Sequence, residues 1–377
     1  VRPREFDVVV AGAGPAGCAA AIALCRAGRR VLLADPSLGQ RRALRAGETL
    51  PAVAATVLRD LSLPEIAGAG VAIPSTGTSA SWGGDGTIEN DAIADPLGHG
   101  WHLDRTRFDS WLTDQACAAG AELQEGRVVA EPWPSAAQVR LEGPGTTDVA
   151  CRWVVDATGR HAALARRQGA RRERHDRLVA LYAAVSTGAG SVDARVRLEA
   201  TPSGWWYSAL VGSGRRIVAF LTDSDLLDPA WRSRPGFGAA LETTSHVLPV
   251  GGWALTSGPA TTAAHGTRVM PAAGDRWLAV GDAALAFDPL SSQGILNALA
   301  TGLEGAAVVD ASLRGKGDAV ARYAQRLTRV WSAYEVNRAG AYALERRWPD
   351  AAFWERRATI RAVAPRTPRG PSAHPSP

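Results

Sequence analysis

Phe6-Asp7-Val8-Val9-Val10-Ala11-Gly12-Ala13-Gly14-Pro15-Ala16-Gly17 is the stretch that decides the fold. The run through Val10 is short, apolar and β-branched, and reads as a buried strand. Gly12, Gly14 and Gly17 follow in G-x-G-x-x-G spacing. The small and apolar residues from Cys18 to Cys25 then read as a helix ending near Gly28, and Val31-Leu32-Leu33-Ala34 as a second strand closed by Asp35. Each part has a physical role in holding a dinucleotide. Gly12 permits the tight turn, Gly14 lets a pyrophosphate approach the backbone, and Gly17 lets helix and strand pack closely. The helix start, where Ala16 lies, offers free N–H groups and a positive dipole end to the phosphates. Asp35 is placed to accept from the adenosine ribose hydroxyls. A bare G-x-G-x-x-G among 40 glycines would carry little; here strand, helix and acid all agree.

At 377 residues the chain can hold more than one folding unit. No apolar run reaches a membrane span and no signal peptide precedes the first strand, so a cytoplasmic protein is expected. Cys18, Cys25, Cys117 and Cys151 lack metal-type spacing and read as reduced core residues, with no metal expected. The net charge is +5, nearly all of the positive charge is Arg, and Lys316 is the only lysine. No Arg-aromatic run resembles a nucleic-acid module, so the charge reads as a solvated surface.

Farther along, the loop from Gly39 to Pro51 admits two readings. It is either an ordinary polar loop, or it sets an arginine such as Arg42 beside the pyrophosphate and the Gly47-Glu48-Thr49 turn beside a bound ring. Pro74 to Gly86 reads as a turn or loop between short strands. Trp101-His102-Leu103 leads into a helix from Phe108 to Ala119, with Arg105 at its entrance. Val128–Ala130, Gln138–Leu141 and Arg152–Asp156 read as a three-stranded meander ending at Asp156-Ala157-Thr158-Gly159. The segments 179–186, 194–199, 205–211 and 216–222 read as an antiparallel sheet, with a helix from Phe237 to Val247 and a strand from Trp253 to Ser257. The first fold then resumes with strand Trp277–Val280, the Gly281-Asp282 turn, the loop Asp288-Pro289-Leu290-Ser291-Ser292-Gln293-Gly294 and a helix from Ile295 to Leu313. A last helix is expected from Asp318 to about Trp348, and a disordered tail from Pro365.

Three separated pieces now match one pattern: Gly12-x-Gly14-x-x-Gly17, Asp156-Ala157-Thr158-Gly159, and Gly281-Asp282 leading into Asp288-Pro289. The chain resembles the flavoprotein monooxygenase superfamily with the p-hydroxybenzoate hydroxylase fold, over roughly residues 5 to 345. The resemblance implies an α/β protein: a Rossmann-type FAD-binding domain over 1–165 and 265–345, and an inserted antiparallel β-sheet substrate domain over 166–264. A C-terminal helix end and tail would fill 346–377. It also implies that Asp282 holds the FAD ribityl hydroxyls, that Arg105 lies near the phosphates and ribityl chain, and that Pro289 to Gly294 covers the isoalloxazine edge. Ser292, Gly294 and Ile295 belong to the start of a helix whose free N–H groups favour a negatively charged reduced flavin; the plain alternative is a Ser-capped helix.

Halogenases of this group need a tunnel lysine, and none precedes Lys316. Their Trp-x-Trp-x-Ile-Pro signature is here Trp205-Trp206-Tyr207-Ser208-Ala209-Leu210, so halogenation is not expected. Asp-Pro-Leu-Ser-Ser-Gln-Gly-Ile together with Gly204-Trp205-Trp206-Tyr207 looks most like the halogenase-like branch that hydroxylates tryptophan residues in quinone-cofactor maturation. The expectation is therefore an FAD-dependent monooxygenase hydroxylating an electron-rich aromatic, an indole or peptidyl tryptophan, through a flavin C4a-hydroperoxide. Dioxygen is the co-substrate, and NAD(P)H or a partner flavin reductase is the electron donor. The alternatives are a flavoprotein oxidase or prenyl-reductase-like enzyme of the same fold, or a non-catalytic FAD-binding partner. Glu48, His102 and Tyr207 are candidates to orient or deprotonate the substrate. Strand alternation lets Trp205 or Trp206, not both, face it; the alternative is that they are ordinary sheet residues.

Overall fold

The computed structural model describes residues 4–38, 48–129, 138–188, 193–212, 214–248 and 252–359. The opening stretch folds as its sequence dictates, with strand Arg4–Ala11, helix Pro15–Arg26 and strand Val31–Asp35. Strand Arg4–Ala11 lies at the centre of a mainly parallel sheet. Val31–Asp35 and then Glu122–Glu125 flank it on one side, Thr147–Asp156 and then Trp277–Ala279 on the other. Alternation sends Val8 and Val10 into a core under the helices, and Val9 into a second core under the meander.

The register places the site. Ala11 lies opposite Ala34 on one side and Asp156 on the other, and Asp156 lies opposite Ala279. Four strand ends therefore finish on one line, and Gly12, Asp35, Ala157 and the Gly281-Asp282 turn all emerge along it. In open α/β sheets the crevice beyond such ends is where ligands bind. The helix Gly294–Leu313 packs across the first helix through glycine: a Cβ on Gly302 would stand 2.4 Å from Ala16 O. The expected meander forms from Arg127–Val129, Gln138–Glu142 and Thr147–Asp156, its third strand serving also as the sheet's inner strand.

Among the described residues the second sheet has seven strands, in the order 254–263, 178–186, 215–223, 204–212, 195–201, 77–81, 87–91. The residues expected over 166–264 do not enclose it. Gly77–Ser81, inside what reads as a turn or loop, pairs in parallel onto Arg195–Thr201, and Thr87–Asp91 pairs antiparallel onto Gly77–Ser81 as the edge strand. Other bounds differ as well. The helix on this sheet is Arg234–Glu242, started by Ser233 Oγ accepting from Gly236 N at 3.1 Å, and the next strand is Ala254–Ala263. The last long helix is Ala319–Tyr342 and stops short of Trp348. A separate helix, Ala352–Thr359, follows, and its Phe353 and Trp354 are buried against the second sheet, so these residues are no mere helix end. Of the cysteines, Cys18 and Cys151 are buried as expected; Cys117 is exposed.

Candidate functional site

The cradle begins at Gly12. Its φ of +107° is one that glycine adopts freely, and a Cβ there would stand 2.3 Å from Ala157 O. Gly17 is tighter still, with a Cβ 1.8 Å from Gly12 O. At Gly14 a Cβ would meet nothing within 4 Å, so the backbone lies open to a ligand. No side chain caps the helix that starts there, which leaves its first N–H groups to a bound group. Ala16, expected at the cofactor, turns its methyl inward, where Gly281 packs so closely that a Cβ there would stand 2.6 Å from it. Its side chain thus fixes the Asp282 turn against the first helix.

These residues open on a cavity of about 580 Å³ lined by Gly12, Gly14, Asp35, Ser37, Thr158 and Arg166, among others. Asp35 Oδ2 accepts from Ala13 N at 2.8 Å, and Oδ1 from Ser37 N and Oγ at 2.7 and 2.6 Å. A carboxylate offers about four lone-pair sites, so Asp35 shapes the loop and keeps room for one more donor. Asp156, at the end of its strand, is buried and accepts from Thr158 N, Thr158 Oγ, Leu164 N and Ala165 N, stapling the turn to the helix after it.

Asp282 lies 3.5 Å from the Arg160 guanidinium. Desolvation in the cleft raises its carboxyl above the usual range, and the charges of Arg160 and Arg105 oppose that rise. Arg160 also donates to Phe287 O at 3.1 Å, joining two loops of the site. Nothing local in the sequence marked Arg160. Arg105 donates to both oxygens of Asp109, at 3.1 and 3.2 Å, from a helix capped by Asp104. Arg42 lies outside the described residues.

Asp288 anchors the next loop. It is buried, and its carboxylate accepts from Leu290 N at 2.9 Å, Tyr342 O–H at 2.8 Å and Arg338 Nε at 3.2 Å. Pro289 is exposed and Ser292 takes a left-handed φ of +51°. The helix starts at Gly294 without a side-chain cap, so the Ser-capped alternative does not hold. Gly294 is exposed and Ile295 is buried behind it. This end therefore presents N–H groups and positive dipole to whatever lies over the loop.

Tyr207 and Glu48 come together beside this region. Tyr207 Oη lies 2.8 Å from Thr49 Oγ1, and burial followed by the Glu48 charge pushes its phenol well above its usual range. His102 does not join them. Its buried imidazole turns to Ala194 O, with Nε2 at 2.6 Å, and burial lowers it to about 4, so it is a neutral buttress and not a base near the pocket.

The tryptophans require a second correction. Alternation does send them to opposite faces, yet both are at most 1% exposed. Trp206 packs with Phe220, Trp231 and Phe237 on the face turned away, and Trp205 is sealed among Trp82, Tyr342 and Trp354. Neither offers surface to a substrate. Among the half-buried apolar residues on the Trp205 face are Ala80, Leu198 and Tyr207, and Leu290 of the loop packs against the same cluster. Alternation alone could have indicated Leu198 only after its strand partners were known.

Among the described residues no group of three His, Cys, Asp or Glu side chains is placed to hold a metal, and no helix is long and apolar enough to cross a membrane.

A glycine cradle on the ends of parallel strands, closed by two further turns, defines a dinucleotide-binding flavoprotein fold. Residues 5–208 match the family model described as the FAD binding domain; the chain belongs to that family and is an FAD-dependent oxidoreductase. It is 30% identical over 369 residues to LodB of Marinomonas mediterranea, described as an FAD-dependent oxidoreductase, covering 96% of this chain and 99% of that one. Among solved structures it is similar to the peptidyl tryptophan dihydroxylase QhpG, with a TM-score of 0.71 and 26% identity over 95% of this chain and 79% of that one. The myxobacterial chondrochloren halogenase CndH superimposes with a TM-score of 0.82 at 20% identity, covering 96% and 88%, a likeness of fold.

Proposed function

We propose that this chain is an FAD-dependent monooxygenase that hydroxylates an electron-rich aromatic ring, with a peptide-bound indole as the substrate that its site and relatives favour. When bound and reduced, FAD would activate dioxygen, one atom of which reaches the ring. One oxygen atom enters an aromatic C–H bond and the other leaves as water, with two electrons from NAD(P)H or a separate flavin reductase. The chain's own residues position and stabilise. Gly12, Gly14 and the first helix hold the pyrophosphate, Asp35 the adenosine side, and Asp282 with Arg160 and Arg105 the ribityl side. Gly294, Ile295 and Leu296, at an uncapped helix start, would offer their N–H groups to the charge of the reduced ring.

The observation that carries the reading is the wall that Leu290 of the loop packs against. Ala80, Leu198 and Tyr207 are among its half-buried side chains, and Glu48 lies close enough to bias the Tyr207 phenol. The phenol stays protonated beside Glu48 and serves as a donor; Glu48 is the acceptor for a substrate N–H and for the ring proton released. Halogenation is not proposed. Lys316 is exposed beyond the far end of a 20-residue helix whose start faces the loop, and such a helix is about 30 Å long.

Leu198→Trp tests the site. Filling the wall should abolish product and raise peroxide release while FAD stays bound, whereas Trp206→Ala should leave the ratio of product to reductant consumed unchanged. The opposite ranking would place the substrate elsewhere.

A further inference from the structure

The outer edge of the second sheet has the features of a docking strand. Thr87–Asp91 is its last strand, exposed at every position, and among the described residues no strand pairs with its other side. Ala92 N donates inward to Thr76 O at 3.0 Å. By the alternation of an antiparallel ladder, Ile88 and Asn90 also point their N–H groups inward, and those of Thr87, Glu89 and Asp91 face solvent. Next to this edge stand Ile88 at 54%, Ile93 at 97% and Leu97 at 62% exposure. Elsewhere among the described residues, Val336 and Leu344 are the large apolar side chains as bare as Ile88.

Charge adds an independent observation. The protein carries a net +5, yet between Arg59 and Arg105 it has no Lys or Arg, and it has Asp60, Glu65, Asp85, Glu89, Asp91, Asp95 and Asp104. Four of these flank or form the edge strand. Arg195 answers Asp91 at 3.0 Å and Glu89 at 3.7 Å, which leaves the edge negative. A second copy would bring acid against acid. An incoming strand suited to it is cationic on the Glu89 face and apolar on the Ile88 face, since neighbouring side chains alternate.

The edge also leads to the site. Ile88 lies opposite Ala80, Ala80 opposite Leu198, and Leu198 opposite Tyr207. This single row runs from the exposed edge to the wall of the proposed pocket. At about 4.8 Å per strand, an added strand lies about 19 Å from Tyr207, a gap that about six extended residues span.

We propose that Thr87–Asp91 is the docking edge for an extended, cationic and apolar segment of a partner polypeptide, which adds to the sheet by main-chain hydrogen bonds and leads a ring about six residues away to Tyr207. The inference rests on the peptide-substrate reading of the site and names the surface that would hold such a substrate.

The test is binding without turnover. The FAD-loaded full chain is titrated at 0.15 M salt with a fluorescein-labelled eight-residue peptide alternating Arg and Val, and with its Glu-and-Val counterpart. The cationic peptide should bind and the acidic one should not. Glu89→Lys should weaken binding by about tenfold or more, as like charges are brought together. Glu89→Pro removes only an outward N–H, a change that sheet edges tolerate, and should abolish binding while FAD content and flavin reduction stay the same. Equal binding of the two peptides, or full binding to the Glu89→Pro variant, would overturn the proposal. So would sedimentation showing a dimer that Glu89→Pro dissolves. Binding that follows the expected pattern without any hydroxylation of a tryptophan-bearing version of the peptide would instead count against the activity and leave the docking edge standing.

Discussion

The Tyr342 phenol donates to Asp288 Oδ2 at 2.8 Å and accepts from Trp205 Nε1 at 3.2 Å, so one hydroxyl ties the proposed flavin loop to the core of the second sheet. Arg338 extends the tie, reaching Asp288 at 3.2 Å and Asp176 at 2.5 Å. The loop that starts at Asp288 is thus held from behind by the last long helix.

Tyr342→Phe keeps the ring and removes this bridge. It leaves a buried indole N–H and a carboxylate oxygen short of a partner, at a cost of about 1–3 kcal/mol. Urea unfolding should show that loss, with FAD still bound. A variant as stable as the parent would mean that the hydroxyl does not tie the loop to the sheet.

Two glycines of the fingerprint should fail in different ways. Gly17→Ala drives a methyl into Gly12 O and should lower the stability of the protein even without FAD, by about 1–3 kcal/mol or more. Gly14→Ala meets nothing within 4 Å and should leave the apoprotein near parental stability. Its effect is expected in FAD affinity, about tenfold or more weaker for one obstructed charged contact. Thermal unfolding of apoprotein beside flavin titration separates the two; the same profile for both variants would undo the distinction.

Asp282→Ala should weaken FAD by a factor corresponding to about 1.5–3 kcal/mol, the contribution of a charge-assisted hydrogen bond. Arg160→Gln should do the same to a lesser degree, because Arg160 acts partly by holding Phe287 O. Unchanged flavin affinity in the Asp282 variant would remove that residue from the site.

Acid should destabilise the fold through two histidines. His102 and His265 are each lowered to about 4, chiefly by burial, and neither nitrogen of His265 has a hydrogen-bond partner among the described residues. A folded pKa below the unfolded value of about 6.5 means that the unfolded chain takes up protons first. The contribution of these groups is full above about pH 6.5 and is lost as the pH falls toward 4. At pH 5 the His102 part amounts to about 2 kcal/mol. His102→Gln should be less stable than the parent at pH 7 and show a shallower decline by pH 5. Parallel pH profiles for parent and variant would contradict this.

How much of this was legible in the sequence depends on the range of the forces involved. The cradle at Gly12, Gly14 and Gly17 was legible, because a tight turn and a close helix demand glycine locally. So were the turns after Asp156 and Val280, which follow recognisable strands. Of the two readings open for Trp205 and Trp206, one of them facing the substrate or both ordinary sheet residues, the second holds, because their burial is decided far away in the chain, by Tyr342, Phe353 and Trp354 on one face and by Phe237 on the other. Gly77–Ser81 and Thr87–Asp91 are short and polar, with no apolar period to announce a strand; pairing with Arg195–Thr201 defines the first, and pairing with the first defines the second. Arg160 shows the same limit: a lone arginine after a turn carries no local signal, and its partners lie more than 100 residues away.

The most direct measurement is the fate of labelled oxygen. The FAD-loaded chain is reduced without air, then mixed with isotopically labelled dioxygen and a tryptophan-containing peptide, and the products are read by mass spectrometry. The account predicts one labelled oxygen atom in the indole ring for each turnover, with added chloride or bromide leaving no halogen on the peptide. Stoichiometric peroxide with an unchanged peptide, across indole and phenol substrates alike, would contradict it.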